Sequence, residues 1–207
     1  MTDEDPSEET TDQNDEAAGI GRSLPVTQRI APVDLAAADG ELADILGSAL
    51  THDGTPLNIF GVLGWHPKLL KRFNLLGGFI LNSGLLPERE RELVILRVGA
   101  KARSEYEFGQ HTLIGRRSGL TEAEIEALTS APSAFPWSDD DLALIAMCDD
   151  LHDDDCVSDA TWEALSARWG EPELVELLIV AGFYRLVSGF LNSTGVRLDD
   201  GVPGWPG

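Results

Sequence analysis

Apolar side chains recur three and four residues apart along most of the chain from Pro32 onward. This spacing predicts a succession of helices, and no run alternates apolar and polar residues over the length of a strand. The fold class predicted is therefore all-α, a helical bundle. The predicted helices cover 34–49, a segment beginning at Pro67, a segment beginning near Pro87, 104–118, a short segment opened by the capping box 121–124, a segment after 138–141, 161–169 and 172–191. We expect loops over 51–64, 131–136 and the acidic run 149–155.

One short pattern recurs within the helical part of the chain. The triplet Glu92-Leu93-Val94 is repeated as Glu173-Leu174-Val175, 81 positions later. At the same offset His111 corresponds to Asn192, so a second copy would lack the histidine. The repeat is compatible with an internal duplication, although leucine-rich helices also match by chance.

The first 21 residues differ from the rest in composition. They carry eight acidic side chains, no basic one and no aromatic one. Such a segment buries too little apolar area to offset the entropy of ordering the chain. We predict that residues 1–21 form a disordered acidic tail and that residues 22–207 form a single helical domain.

The net charge of the chain limits the kinds of binding partner that can be expected. The 207-residue chain has 36 acidic and 15 basic side chains, a formal net charge of −21, and 43% hydrophobic residues. Nucleic acids and anionic membranes attract lysine and arginine, so neither is expected as a partner. Without the tail the charge is still −13, which indicates a strongly negative surface on the domain itself.

Targeting signals and cysteine content indicate the cellular compartment in which a protein is expected. The N-terminus lacks the basic start and apolar run of a signal peptide. The most apolar stretch, 174–191, contains Glu176 and Arg185, which argues against a membrane span. Two cysteines, Cys148 and Cys156, do not form a disulfide framework. We expect a cytoplasmic protein.

Candidate chemistry is concentrated in the predicted helix 104–118. Ser104, Glu107 and His111 stand at i, i+3 and i+7 and so share one face. A carboxylate beside an imidazole raises its pKa and orients one ring nitrogen, an arrangement suited to proton transfer. Glu92 lies one helix earlier, and a helical hairpin would bring it to the same place. Two alternatives stay open: Ser104 and Glu107 also fit a capping box, and His111 also fits an interior histidine.

This segment resembles the carboxymuconolactone decarboxylase family, which includes alkyl hydroperoxidase D. The peroxidase branch has a glutamate, eleven residues, and then Cys-x-x-Cys-x-x-x-His. Here Glu92 is followed after eleven residues by Ser104-x-x-Glu107-x-x-x-His111, so the spacing is kept and both cysteines are absent. The resemblance covers roughly 50–200 and places the chain with the members that lack the cysteines.

The resemblance implies an alkyl hydroperoxidase D-like fold and, without the cysteine pair, acid–base chemistry. The family's decarboxylases act on a carboxylated lactone without metal or organic cofactor, so no cofactor and no metal is expected. On the spacing and the resemblance together we predict Glu92, Glu107 and His111 as catalytic residues, and from their donor groups we predict Ser104, Tyr106 and Arg97 as substrate contacts. The resemblance also implies a homo-oligomer, a trimer or hexamer.

The acidic run 148–156 offers thiol, imidazole and carboxylate donors. Its spacing fits no standard zinc or calcium site, since a calcium loop needs a central glycine and a terminal glutamate. We interpret it as a solvated acidic loop.

Three functions are compatible with the sequence. The first is a decarboxylase or related lyase acting on a small organic acid or lactone. The second is an alkyl hydroperoxidase-like antioxidant protein that uses an unusual cysteine, and the third is a non-catalytic helical oligomer. Because the surface is so acidic, a carboxylate-binding enzyme is expected to gather arginines at its pocket, from the candidates Arg97, Arg103, Arg116 and Arg117.

Overall fold

Nine helices, numbered in chain order, carry the fold within the residues that the structure describes. The computed structural model describes residues 24–25, 27–34, 37–38, 40–47, 51–52 and 55–206. The helices are α1 Gly40–Leu46, α2 Asn58–Leu63, α3 Pro67–Asn82, α4 Glu88–Lys101, α5 Glu105–Arg117, α6 Glu122–Ala127, α7 Asp139–Asp153, α8 Asp159–Ser166 and α9 Glu171–Thr194. A 3₁₀ turn covers Pro132–Ala134, and two antiparallel two-residue strands, β1 Thr51–His52 and β2 Thr55–Pro56, precede α2. The all-α prediction is confirmed.

Helix α4 lies at the centre of the core. Its residues Arg91 to Gly99 are buried without interruption, and it packs against α5, α7 and α9. Leu93, Val94, Ile95 and Leu96 are fully buried. Because α4 has no solvent face over this stretch, its charged side chains must find partners inside the protein.

The predicted loops 51–64 and 149–155 are both partly helical, so the loop prediction was wrong for the helical part of each. Helix α2 lies inside the predicted loop 51–64, and it was missed because Ile59 to Leu63 are all buried and show no helical periodicity. Helix α7 continues into the predicted acidic loop as far as Asp153. Asp149 and Asp153 are tolerated there because Arg97 and Lys101 of α4 pair with them.

Helix α9 is long and apolar enough to cross a membrane by length and composition, in the part of the chain that the structure describes. Half of that stretch is buried against the rest of the protein, as in the core helix of a globular domain. The repeated triplets lie on α4 and α9, which pack against each other, and the internal duplication stays a prediction. The predicted tail 1–21 lies outside the described residues.

Candidate active site

Helices α4 and α5 bring together the three residues predicted as catalytic. Nδ1 of His111 lies 2.6 Å from Oε2 of Glu92, and its Nε2 lies 3.0 Å from Oε1 of Glu107. The two histidine contacts use different ring nitrogens, so a protonated imidazole donates one hydrogen bond to each carboxylate. All three side chains are buried, with 0% of Glu92, 4% of Glu107 and 5% of His111 exposed.

The position of Ser104 decides between the two interpretations of helix α5. Ser104 is the N-cap residue of α5, but its side chain makes no capping hydrogen bond, and its buried hydroxyl has no partner among the described residues. The carboxylate of Glu107 is turned to His111 instead. The two residues therefore do not form a capping box. Ser104 is not among the residues that line the cavity described below, so its predicted substrate contact is not supported.

Arg91 completes the charge balance of the site. Its Nε donates to Oε1 of Glu92 at 2.9 Å, and its Nη1 donates to the carbonyl oxygen of Leu81 at 3.2 Å. With His111 protonated, its positive charge and that of Arg91 balance the negative charges of Glu92 and Glu107. A neutral, fully paired set is what burial at this depth requires.

This pairing shifts two pKa values in opposite directions. Burial by itself raises the pKa of Glu92, but the charges and hydrogen bonds of His111 and Arg91 outweigh it, so the pKa is lowered. Burial likewise works against charge on His111, but Glu92 and Glu107 outweigh it and raise the pKa of His111 to about 10. At neutral pH His111 is therefore an imidazolium held between two carboxylates.

A cavity of about 180 Å³ opens onto this set between α2, α3, α5 and α9. His111 and Glu107 line it, whereas Glu92 lies behind them. The remaining lining is mainly apolar, and its other polar side chains are Asn74, Asn82, Gln110, Tyr106 and Tyr184.

Within the part of the chain that the structure describes, no lysine or arginine lines this cavity. The prediction that Arg97 binds substrate is corrected by its position. Its guanidinium pairs with both oxygens of Asp149, at 2.8 and 2.7 Å, and donates to the carbonyl oxygens of Leu128 and Ser130. Arg97 therefore ties α4 to α7 and to the segment after α6. The sequence could not show this because its partners lie more than 30 residues away.

Tyr106 lines the cavity, as predicted for a substrate contact, but its hydroxyl is already engaged. The hydroxyl donates to Oδ2 of Asp199 at 2.5 Å and accepts from the backbone N–H of Ile59 at 3.3 Å. Burial and then Asp199 raise the pKa of Tyr106 well above its usual range. The ring of Tyr106 is thus available to a ligand, while its hydroxyl is hydrogen-bonded within the protein.

Two residues of the site were missed by sequence reasoning. Tyr184 of α9 packs edge-on against the ring of His111, with centroids 4.8 Å apart, and it also lines the cavity. Arg91 pairs with Glu92, the neighbouring residue. Nothing local marks Tyr184, which lies 73 positions after His111. Arg91 stands in the charged run 88–92, so its charge does not single it out.

The two cysteines lie outside the cavity. Cys148 is buried, and burial raises the pKa of its thiol far above the usual range, with Asp149 adding to the effect. Cys156 is exposed. Neither is a lining residue of the site, and they form no disulfide with each other.

The fold is alkyl hydroperoxidase D-like, and the buried Glu–His–Glu set stands where the cysteine-containing members of the family resembled here have their cysteine pair and histidine. The sequence model of the carboxymuconolactone decarboxylase family matches residues 67–139, a segment that contains Glu92, Glu107 and His111. The family resemblance inferred from the sequence is thereby confirmed. No curated protein matches this chain in sequence.

Several solved structures share the fold. The core of an alkylhydroperoxidase AhpD, an uncharacterized peroxidase-related protein from Ralstonia eutropha, is 19% identical, with a TM-score of 0.73 over 86% of this chain and 95% of its own. A peroxidase-related protein from Silicibacter sp. is 15% identical, with a TM-score of 0.71 over 86% and 96%. The debrominase Bmp8 is 13% identical, with a TM-score of 0.70 over 85% and 95%. At these identities the likeness establishes the fold alone.

Proposed function

We propose that this chain is an enzyme of acid–base chemistry, a lyase or closely related enzyme that moves protons to and from carbon in a small lactone. The observation that carries the proposal is the imidazolium of His111, held by Glu92 and Glu107 at the wall of an apolar cavity. A buried interior histidine with a purely structural role would not need two carboxylates and an open cavity beside it.

Glu107 and His111 have complementary roles in such a step. The carboxylate of Glu107 removes a proton from the carbon next to the substrate carbonyl, and the electron pair of that C–H bond becomes an enolate. Once Glu107 is neutral, its hold on Nε2 of His111 weakens. The Nε2–H then turns to the enolate oxygen and stabilises its charge. In an unsaturated lactone the proton returns to a different carbon of the extended enolate, so the double bond shifts, and both residues regain their starting state.

Glu92 and Arg91 act from behind the cavity. Glu92 accepts from Nδ1 of His111, which fixes the orientation of the ring and keeps it protonated. Arg91 in turn holds Glu92 ionised. Glu92 is therefore proposed as the residue that positions and charges the catalytic histidine, rather than one that contacts the substrate.

The cavity favours an uncharged lactone over a free organic acid. A substrate carboxylate would enter a mainly apolar space next to Glu107, and the described lining offers it no arginine or lysine. The charge of His111 is already matched by Glu92 and Glu107. Burying an unpaired charge in such a place is costly. A lactone carbonyl, by contrast, needs only hydrogen-bond donors, and the amides of Asn74 and Gln110 are among the lining groups. Gln110 keeps a second N–H beside the one that it gives to Asp199.

The thiol peroxidase alternative has little support in this geometry. It requires a reactive thiolate and a second thiol to resolve the sulfenic acid. Ser104 and Glu107 occupy the positions of the family's two cysteines, and Cys148 is buried with a raised pKa. We further propose that the enzyme works without metal or organic cofactor, in the cytoplasm, and as a homo-oligomer.

A paired substrate screen tests the proposal. Purified protein is incubated with neutral lactones and with the same lactones carrying a carboxylate, and products are followed by NMR. We expect turnover of neutral lactones, lowered roughly 10²–10⁴-fold in His111→Gln. His152→Gln, which removes a histidine on α7 outside the cavity, is the matched control and keeps full turnover. Equal turnover by His111→Gln, or turnover of only the carboxylated lactones, contradicts the proposal.

A further inference from the structure

The C-terminal segment 197–205 lies along helix α5 and is joined to it by side chains. Asp199 accepts at one carboxylate oxygen from the hydroxyl of Tyr106, at 2.5 Å, and from the amide of Gln110, at 2.7 Å. Both donors stand on one face of α5, one turn apart, and both line the cavity.

The other carboxylate oxygen of Asp199 reaches the opposite wall of the cavity. It accepts from the backbone N–H of Asn58, at 2.9 Å, at the first residue of α2. The side-chain amide of Asn58 donates back to the carbonyl oxygens of Arg197 and Leu198, at 3.1 and 3.3 Å. The next two residues of α2, Ile59 and Phe60, line the cavity. A single carboxylate thus connects the α2 wall to the α5 wall.

Helix α5 is shaped to receive this segment. A Cβ at Gly109 would overlap the carbonyl oxygen of Pro203 and crowd Val202. Further along, Trp205 stacks against Phe108 with ring centroids 4.9 Å apart. The segment therefore lies against α5 only because residue 109 has no side chain.

We propose that the segment 197–205 is a strap of the active site, and that Asp199 is a positioning residue which sets the distance between the α2 and α5 walls of the cavity. Through Tyr106 and Gln110 it determines where the substrate lies relative to Glu107 and His111. Asp199 itself does not contact the substrate.

Two independent variants disturb the strap. Asp199→Ala removes the carboxylate, and Gly109→Ala displaces the segment without changing that carboxylate. Asp200→Ala, an exposed neighbouring acid, is the matched control. Asp199→Asn keeps an acceptor oxygen and a similar shape, so it gives a folded variant of intermediate effect even where the alanine variant fails to fold.

The first measurement is amide hydrogen exchange of the full-length chain, which does not depend on any assumed reaction. We expect exchange in residues 58–63 to speed up about tenfold in both strap variants, the effect of losing a hydrogen bond to a charged group, with exchange in α4 unchanged. Unchanged exchange in 58–63, or an equal increase in α4, overturns the proposal.

The second measurement rests on the proposed function and uses the neutral lactone identified in the substrate screen. We expect KM to rise about tenfold in Asp199→Ala and Gly109→Ala while kcat stays within about twofold. The double variant is expected to be no worse than either single one, because both release the same strap. A fall in kcat without a change in KM overturns the positioning role. A positive exchange result without lactone turnover leaves the strap standing and rejects only the proposed reaction.

Discussion

Nδ1 of His111 lies 2.6 Å from Oε2 of Glu92, and this contact joins α5 to helix α4, which is buried without interruption from Arg91 to Gly99. Glu92 is fully buried and is held from its other oxygen by Arg91. The contact keeps a proton on His111 at a place where burial alone would remove it.

The first prediction concerns the titration of His111. Its pKa is raised to about 10, and Glu92 is the largest of the groups that raise it. In Glu92→Gln the charge is lost while the shape is kept, so the pKa of His111 falls and the imidazolium is lost at lower pH. The measurement is an NMR titration of the imidazole ¹⁵N resonances, with the His111 signal assigned by its absence in His111→Gln. An unchanged titration in Glu92→Gln would mean that Glu92 is not what holds the proton.

The raised pKa of His111 also predicts how the free energy of unfolding changes with pH. Because the folded pKa of His111 lies above its ordinary value of 6.5, its contribution is fully present below that pH and is lost as pH rises through about 10. The lowered pKa of Glu92 has the opposite effect: its contribution is present above the ordinary value and is lost in acid. Urea unfolding should therefore show that the stability gap between wild type and His111→Gln shrinks from pH 7 to pH 10. A gap that widens in that interval contradicts the assignment.

We expect Arg97 to contribute to the stability of the fold and not to substrate binding. Arg97→Ala leaves Asp149 and two carbonyl oxygens without their partner, so the free energy of unfolding is expected to fall by roughly 3 kcal/mol or more. KM for the lactone, measured below the unfolding transition, should stay unchanged. A raised KM with intact stability would restore Arg97 as a substrate ligand.

Thiol chemistry should be dispensable. Replacing Cys148 by Ala and Cys156 by Ser, or alkylating the exposed Cys156, is expected to leave lactone turnover within about twofold, since neither thiol lines the cavity. The same variants are assayed with an organic hydroperoxide and a thiol reductant. Peroxidase activity in the wild type that disappears in the double variant would favour the antioxidant alternative.

The expected homo-oligomer can be tested on the outer face of α9. Val175, Ile179 and Leu186 are exposed there by 62%, 50% and 61%, at spacings of four and seven residues that form one stripe. We expect Ile179→Asp to lower the molar mass measured by light scattering, because a charge would be buried in a packed contact between copies. Glu173→Lys, on a different face of the same helix, is the control. A monomeric wild type contradicts the proposal.

The sequence was most informative where the chemistry is local. Glu107 and His111 are one turn apart on a helix, so their contact follows from spacing, and the eleven-residue interval placed Glu92 one helix earlier. The fold class followed in the same way from helical periodicity. The fully buried α2 gave no periodic signal, and the run from Asp149 to Asp153 looked like a loop because the cations of α4 that stabilise it lie about 50 residues away.

Local sequence patterns could not predict the cavity. Its walls come from α2, α3, α5 and α9, and Tyr184 and Asp199 reach the site from distant parts of the chain. Among four candidate arginines, composition could not show which one faces a pocket, and none of them lines this cavity. The proposed preference for an uncharged substrate rests on this lining.

Incorporation of solvent deuterium into carbon is the most direct test of proton transfer by Glu107 to and from an enolate that His111 stabilises. The neutral lactone is incubated in D₂O with wild type, His111→Gln and His152→Gln, and deuterium at the carbon next to the carbonyl is measured by NMR and mass spectrometry. We predict incorporation by wild type and His152→Gln, and a loss of roughly 10²–10⁴-fold in His111→Gln. Incorporation at the same rate in His111→Gln would contradict the account.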